Sequence, residues 1–463
     1  MSRLARARSY LGVRLRSFFY DRLLRRVLRN SSYLFAGNMI SAVMGIVTAN
    51  LLGAMGFGIL GVITGFVSDV NRLLSFRMSD VVVRYVGEAV EQGNRTRAAA
   101  LFKAAALIEA ATSLVAFILL ALLAPIGARY FAKDIALQPL FLLYGVSILA
   151  NLIYESATGF LQVTNHFRTQ ALINLAQSVL VALVLVWISI NRGGLVEVLL
   201  AYLLGKIILG IGPAAAALFW LPRTLGKDWL RAPMSHLPPW RELTGFGLST
   251  NFSATINLIA RDSEAPWVSL FFGPQIAGYY RIALQLISLM VLPVNPLIST
   301  TYPEIARAWA ARRFADLAYL LRRVSLVAGA WTGAVMLGLL LFGQQLLFTP
   351  FLLFGRPFSL YDTQYLPAYP ILLILLIGYG AANILFWNRP LLLAQGRANL
   401  ALRVGFWAML AKLALGITLL PRTHYLVEAA LLSGYFVVSV GWMVFAGLRR
   451  LASERALERT IVS

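Results

Sequence analysis

The chain has 463 residues, of which 59% are hydrophobic, 13% are charged and none are cysteine, with a mean hydropathy of +0.74. Soluble domains are roughly 25% charged and about half apolar, so an ordinary soluble globular protein is excluded. The missing cysteines exclude disulfides, thiolate metal sites and cysteine nucleophiles. Forty-one Lys and Arg against 19 Asp and Glu leave a net +22, an excess that signals either nucleic acid or, in an apolar chain, membrane sidedness.

In chain order, residues 1–30 form a basic arm with nine arginines interleaved with Leu11, Leu15, Phe18, Phe19, Leu23 and Val27. This pattern predicts an amphipathic helix on an anionic inner leaflet, and no small-residue cleavage site follows a short apolar run as in a signal peptide. Hydrophobic stretches long enough to cross ~30 Å of hydrocarbon then recur along the chain. Twelve are expected, at 31–53, 58–87, 99–128, 138–164, 169–190, 195–219, 244–272, 276–306, 318–347, 366–393, 398–420 and 425–448. With the N-terminus inside, thirty basic residues fall on cytoplasmic arms and connections, five lie outside and six lie within spans. That asymmetry places both termini in the cytoplasm.

The segment 221–243, rich in Pro, Trp and charge, is the natural linker between an N-lobe (31–220, six spans) and a C-lobe (244–449, six spans), with a cytoplasmic tail at 450–463. The halves echo one another at an offset of 220 residues, where Gly53 meets Gly273, Gly58 meets Gly278 and Ser68 meets Ser288. A six-span unit begins and ends on one side, so its repeat is parallel, related by an axis along the membrane normal.

Charges inside the bilayer are costly and face a cavity or a partner. In the second span Asp69, Arg72, Arg77, Asp80 and Arg84 share one face of an ideal helix, at about 100° per residue. In the seventh, Asn251, Asn257, Arg261, Asp262 and Glu264 occupy a broader arc of about 160°. Arg281, Lys206 and Lys412 are isolated cations in the eighth, sixth and eleventh spans. A shared water-filled centre explains them together, and its cationic bias suits an anion such as phosphate. The expected substrate contacts are Arg72, Arg77, Lys206, Arg261, Arg281 and Lys412. The carboxylates Asp69, Asp80, Asp262 and Glu264 either bind a coupling Na+ or H+ or pair with the arginines.

No P-loop motif occurs, and His166, His236 and His424 lack metal-ligand spacing. No catalytic residue, metal or other cofactor is expected. Short outer connections disfavour a membrane-bound glycan polymerase or ligase, and the scattered basic residues disfavour nucleic acid.

Three stretches carry a resemblance: Leu51-Leu-Gly-Ala-Met-Gly-Phe-Gly-Ile-Leu60; Ile259-Ala-Arg-Asp262 followed by Phe272-Gly-Pro-Gln-Ile-Ala-Gly-Tyr-Tyr-Arg-Ile-Ala283; and Pro303-Glu-Ile-Ala306. With twelve spans and both ends inside, the chain from about Ser31 to Arg449 resembles the polysaccharide-type (Wzx-like) flippases of the multidrug, oligosaccharidyl-lipid and polysaccharide (MOP) exporter superfamily. The resemblance implies an all-α fold of two six-helix lobes, a V-shaped central cavity and alternating access. It implies transport of an undecaprenyl-diphosphate-type lipid-linked oligosaccharide, such as an O-antigen or exopolysaccharide repeat unit, across a bacterial inner membrane. The expected partners are that substrate, membrane lipids and polysaccharide polymerase machinery around a monomer. A drug or cation antiporter of the same superfamily is the alternative, distinguished by a more acidic cavity.

Overall fold

Apolar segments of this length satisfy their backbone polar groups internally, and the computed structural model, which describes residues 22–75, 77–237, 251–353 and 356–462, is built almost wholly from helices. The first half contains α1 (Arg22–Leu74), α2 (Met78–Val81), α3 (Gly87–Glu91), α4 (Arg95–Ile126), α5 (Gln138–Ala150), α6 (Tyr154–Val163), α7 (Phe167–Ile190) and α8 (Leu195–Leu225). After α9 (251–257) come α10 (Glu264–Phe272), α11 (Pro274–Val291), α12 (Asn295–Ala310) and α13 (Phe314–Phe348). The chain ends with α14 (Ala368–Ile384), α15 (Asn388–Ala394), α16 (Ala398–Leu419) and α17 (Leu426–Val462). A short antiparallel hairpin, β1 (Phe351–Leu353) with β2 (Arg356–Phe358), follows α13.

Among the described residues nine helices are long and apolar enough to cross a membrane, where twelve spans were expected. The first two expected spans run together through α1, whose helix is interrupted only at Gly53 (φ 66°, ψ 176°). The expected span 276–306 is divided between α11 and α12 around Leu292–Val294, next to Pro293, and a proline cannot donate the backbone bond a continuous helix needs. The expected span at 244–272 begins within 238–250, outside the described residues. The arm at 1–30 lies mostly outside them as well.

Two compact units divide the chain, and they cut across the expected lobes. One comprises the described residues of Met1–Val47, Leu74–Ile118 and Gly145–Leu248. Its core gathers Val82, Phe102, Phe160 and Leu221. The buried Glu109 carboxylate accepts from the Glu155 and Ser156 amides at 2.6 and 2.8 Å, meeting the unpaired N–H groups at the start of α6. Lys103 donates to the Leu230 and Ala232 carbonyls at 3.1 and 2.5 Å, which fastens the expected linker to α4.

The other unit comprises the described residues of Thr48–Leu73, Leu119–Tyr144 and Ser249–Ser463. Pieces of the first half belong to it because their backbones fit the second half closely. A Cβ on Gly58 would lie 1.7 Å from the Pro274 carbonyl oxygen, and one on Gly278 would lie 2.3 Å from that of Ala54. Residues 54 and 58 thus cross 274 and 278 reciprocally, at the 220-residue offset of the repeat, with Ala54, Gly58 and Gly278 small enough to let the helix backbones touch. Gly53 and Gly273 (φ 87°, ψ 167°) both adopt a backbone region open essentially to glycine alone.

Around this crossing, Asn50 donates to the Leu360 carbonyl and accepts from the Asp362 amide, each at 3.0 Å. Gln364 accepts from the Ala54 amide at 3.1 Å, capping the helix that restarts after Gly53. Tyr365 donates to the Ala49 carbonyl at 2.6 Å. Farther along, Ser269 donates to Phe131 O at 2.5 Å and Lys133 to Leu270 O at 2.7 Å. A separate core, including Ile305, Leu317, Phe386, Trp387 and Leu391, holds α12, α13 and α15 together.

Candidate functional site

The middle of the expected seventh span is broken. Leu258–Asp262 form a π turn between α9 and α10, and Ser263 (φ −96°, ψ 24°) leaves helical geometry. The cause is local: Pro266 has no N–H to offer the carbonyl four residues back, and its ring crowds that carbonyl. Ser263 repairs part of the damage by donating its amide and hydroxyl to Leu258 O, at 3.1 and 3.0 Å. Interrupted membrane helices are a recurrent way to build sites near mid-membrane. Here the interruption turns neighbouring charges to different surroundings.

On one side, Asp262 takes Arg72 at 3.1 Å and Arg261 at 3.4 Å, all of them partly exposed. Asp69 faces Arg72, Asp262 and Ser263. On the other side, Glu264 is 2% exposed and accepts a hydrogen bond from Lys412. Lys412 also donates to Ala260 O at 2.9 Å and lies 2.9 Å from Glu428.

Beside the break, a cavity of about 710 Å³ opens among α9, α11, α12 and α14–α17. Arg261 and Arg389 are its cations, and among the described residues lining it none is acidic. Asn257, Asn295, Asn383, Asn388 and Asn399 contribute amides, while Tyr379, Tyr435 and Phe436 contribute rings. Arg389 reaches Ser253 at 3.3 Å, and Arg261 lies over the Phe436 ring at 6.0 Å. Guanidinium groups recognise phosphate and carboxylate bidentately, and each primary amide offers donors and acceptors together. The chemistry suits an anion attached to a polyhydroxylated group.

The expected contacts are therefore only partly gathered. Arg261 lines this cavity, and Arg72 joins it to the second span through Asp262. Arg281 instead donates to Phe57 O at 3.1 Å and stacks over the Phe57 ring at 4.2 Å. Lys412, expected as an isolated cation, is engaged by two carboxylates from other helices. Arg77, with a left-handed backbone at φ 45°, pairs with Asp80 at 3.3 Å, and these two belong with the exposed Lys206 to the first unit.

The single charged face expected from Asp69 to Arg84 does not form. The helix stops at Leu74, restarts at Met78 and passes through a π turn at Val82–Val86, so one helical wheel cannot describe it. Asp69 and Arg72 fall in one unit and Arg77, Asp80 and Arg84 in the other. The sequence reading placed Asn257 in the seventh-span arc but missed Arg389, the other four asparagines of the cavity, and Glu428. Glu428 had a legible signal, since an acid at the start of an apolar span is as anomalous as a lysine within one.

Comparison with known proteins bears on the family and the fold. The family model described as "Polysaccharide biosynthesis protein" matches residues 27–309. The teichuronic acid biosynthesis protein TuaB of Bacillus subtilis (strain 168) is 23% identical over 320 residues, 66% of this chain and 59% of that protein's length. The chain thus matches about three-fifths of that relative. Among solved structures, an inward-facing multidrug-resistance MATE transporter of the MOP superfamily superposes with a TM-score of 0.68 at 13% identity, covering 91% of this chain and 96% of that one. The lipid II flippase MurJ, inward closed, gives 0.65 at 14% identity over 90% and 87%. A MOP transporter from Pyrococcus furiosus Vc1, described by the reverse polarity of its binding pocket, gives 0.62 at 14% over 93% and 96%. These likenesses show the MOP-type fold.

Proposed function

Because the chain belongs to the polysaccharide biosynthesis protein family, we propose that it is a MOP-type flippase moving a polyprenyl-diphosphate-linked oligosaccharide across a bacterial inner membrane by alternating access. The observation that carries this reading is the cavity in which Arg261 and Arg389 stand among five asparagines, with no acidic residue among the described lining. The arginines suit the diphosphate or an acidic sugar, and the amides and rings suit the sugar hydroxyls and faces. A drug or cation antiporter would hold its passenger against carboxylates, which this lining lacks. The same reading takes the twelve expected spans and the thirty-to-five split of basic residues as a topology with both termini in the cytoplasm.

The energetics favour export. A potential of about 100 mV is worth about 2.3 kcal/mol per charge, so two negative charges moving out of an inside-negative cell gain roughly 4.6 kcal/mol. The test is leaflet exchange of a labelled polyprenyl-diphosphate oligosaccharide by the reconstituted protein. Arg261→Ala and Arg389→Ala should each slow exchange about tenfold or more, because a hydrogen bond to a charged group is worth roughly 1.5–3 kcal/mol. Wild-type protein that fails to exchange the lipid under a membrane potential, yet exports a cationic dye, would establish the antiporter instead.

A further inference from the structure

Three helices bring together charges that line no part of the cavity. Lys412 of α16, Glu264 of α10 and Glu428 of α17 are 7%, 2% and 0% exposed. With both carboxylates ionised, two negative charges would face one ammonium, leaving one uncompensated charge in an apolar interior where ions are costly. Hydrogen bonding shows the same deficit. One oxygen of Glu264 accepts from Lys412 and Glu428 Oε1 lies 2.9 Å from the same ammonium, but Oε2 of each carboxylate has no hydrogen-bond partner among the described residues. A carboxyl group that carries a proton gains a donor and removes the excess charge in the same step.

We propose that Glu264, Lys412 and Glu428 form a buried proton-binding site, in which two carboxylates share one exchangeable proton beside one ammonium. Loading forms an O–H bond on a carboxylate oxygen, breaks no bond and takes the cluster from −1 to neutral. A metal cation fits less well: the ammonium already occupies the space between the carboxylates, and no group of three or more His, Cys, Asp or Glu suited to a metal occurs among the described residues.

The groups around the site are Tyr280 of α11, Tyr379 of α14, Tyr435 of α17, and Arg261 and Asp262 of the π turn. The Tyr280 hydroxyl is already committed to Tyr425 O at 2.5 Å. Tyr379 and Tyr435 also line the cavity. Lys412 holds Ala260 O before the helix break and Glu264 after it. Its ammonium therefore braces the break, and a proton on Glu264 weakens that brace next to Arg261 and Asp262. Coupling of the proton to transport rests on the flippase reading; the site itself rests on the burial, contacts and charge balance of its three side chains.

Infrared spectroscopy of the full-length protein in lipid nanodiscs tests the site through the C=O stretch of protonated carboxyl groups. At neutral pH the wild type should show a band of which the cluster's share disappears in Glu264→Gln and equally in Glu428→Gln, since either change leaves one carboxylate matched to one ammonium. Lys412→Met should not diminish that share, because it removes the positive charge that favours ionised carboxylates. Replacing Na+ by K+ should leave the wild-type band unchanged. An unaltered band in both Gln variants overturns the proposal, as does a wild-type band that appears only when Na+ is removed. Lipid exchange is measured separately on the same samples, so failure of the flippase reading leaves the infrared result intact.

Discussion

The corners at 53–61 and 273–281 are copies of one another, and they differ at one position that matters. Gly53 and Gly273 share the same unusual backbone, and Gly58 and Gly278 each lie against the other half's main chain. One turn on, Gly61 faces Arg281, its counterpart in the repeat: a Cβ on Gly61 would meet Arg281 Cδ at 3.0 Å. A pseudo-symmetric crossing brings equivalent positions face to face, so the pair can hold one large side chain but not two. The repeat is kept where backbone touches backbone, and it diverges where a single guanidinium fills the space shared by both copies.

The largest test of this comparison is Gly58→Val. Its Cβ would fall 1.7 Å from a backbone oxygen, which no rotamer change relieves, so size-exclusion chromatography should show no monodisperse folded protein. A folded variant with the wild-type melting temperature would break the reciprocal-crossing account.

Gly53→Ala and Gly273→Ala sharpen it. Both strain a glycine-only backbone, a cost of about 1–3 kcal/mol, but only at Gly53 would the new methyl also meet Gln364 Oε1, at 3.1 Å. Thermal unfolding should therefore show the larger loss for Gly53→Ala; equal losses would mean that Gln364 moves freely.

The smallest effect is the coupling between Gly61→Ala and Arg281→Ala. Each single change should lower the melting temperature, and the double mutant should recover part of the loss, with a coupling of roughly 0.5–1 kcal/mol for contacting side chains. Strict additivity would separate the two positions.

The corner glycines were legible in the sequence because an offset of 220 residues aligns them without any knowledge of contacts. The apolar helices were legible for a similar reason, since hydropathy is a local property. The site was harder to read. Asp69 and Arg84 were placed on one face by assuming an unbroken helix, and the interruption between Leu74 and Met78 removes that assumption. Pro266 carries the signal of a break in the seventh span, which the single arc drawn for residues 251–264 ignored, and it could not in any case show that Asp262 would turn to Arg72 while Glu264 turned to Lys412. Lys412 looked solitary because its acids come from α10 and α17, far from it along the chain. Of the cavity's asparagines only Asn257, beside the charges of the seventh span, was picked out; the other four carry no charge and leave no mark on a search for buried ions.

The seam of Asn50, Gln364 and Tyr365 bears on how firmly the two corner segments are joined. Each of its four hydrogen bonds joins a side chain of one strand of the chain to the main chain of the other, and three of the four lie in exposed or partly buried surroundings. Water can take over bonds of this kind as the partners separate, leaving a net cost of roughly 2–6 kcal/mol for the set. The seam is firm as a set, yet each of its solvent-reachable bonds is individually replaceable by water.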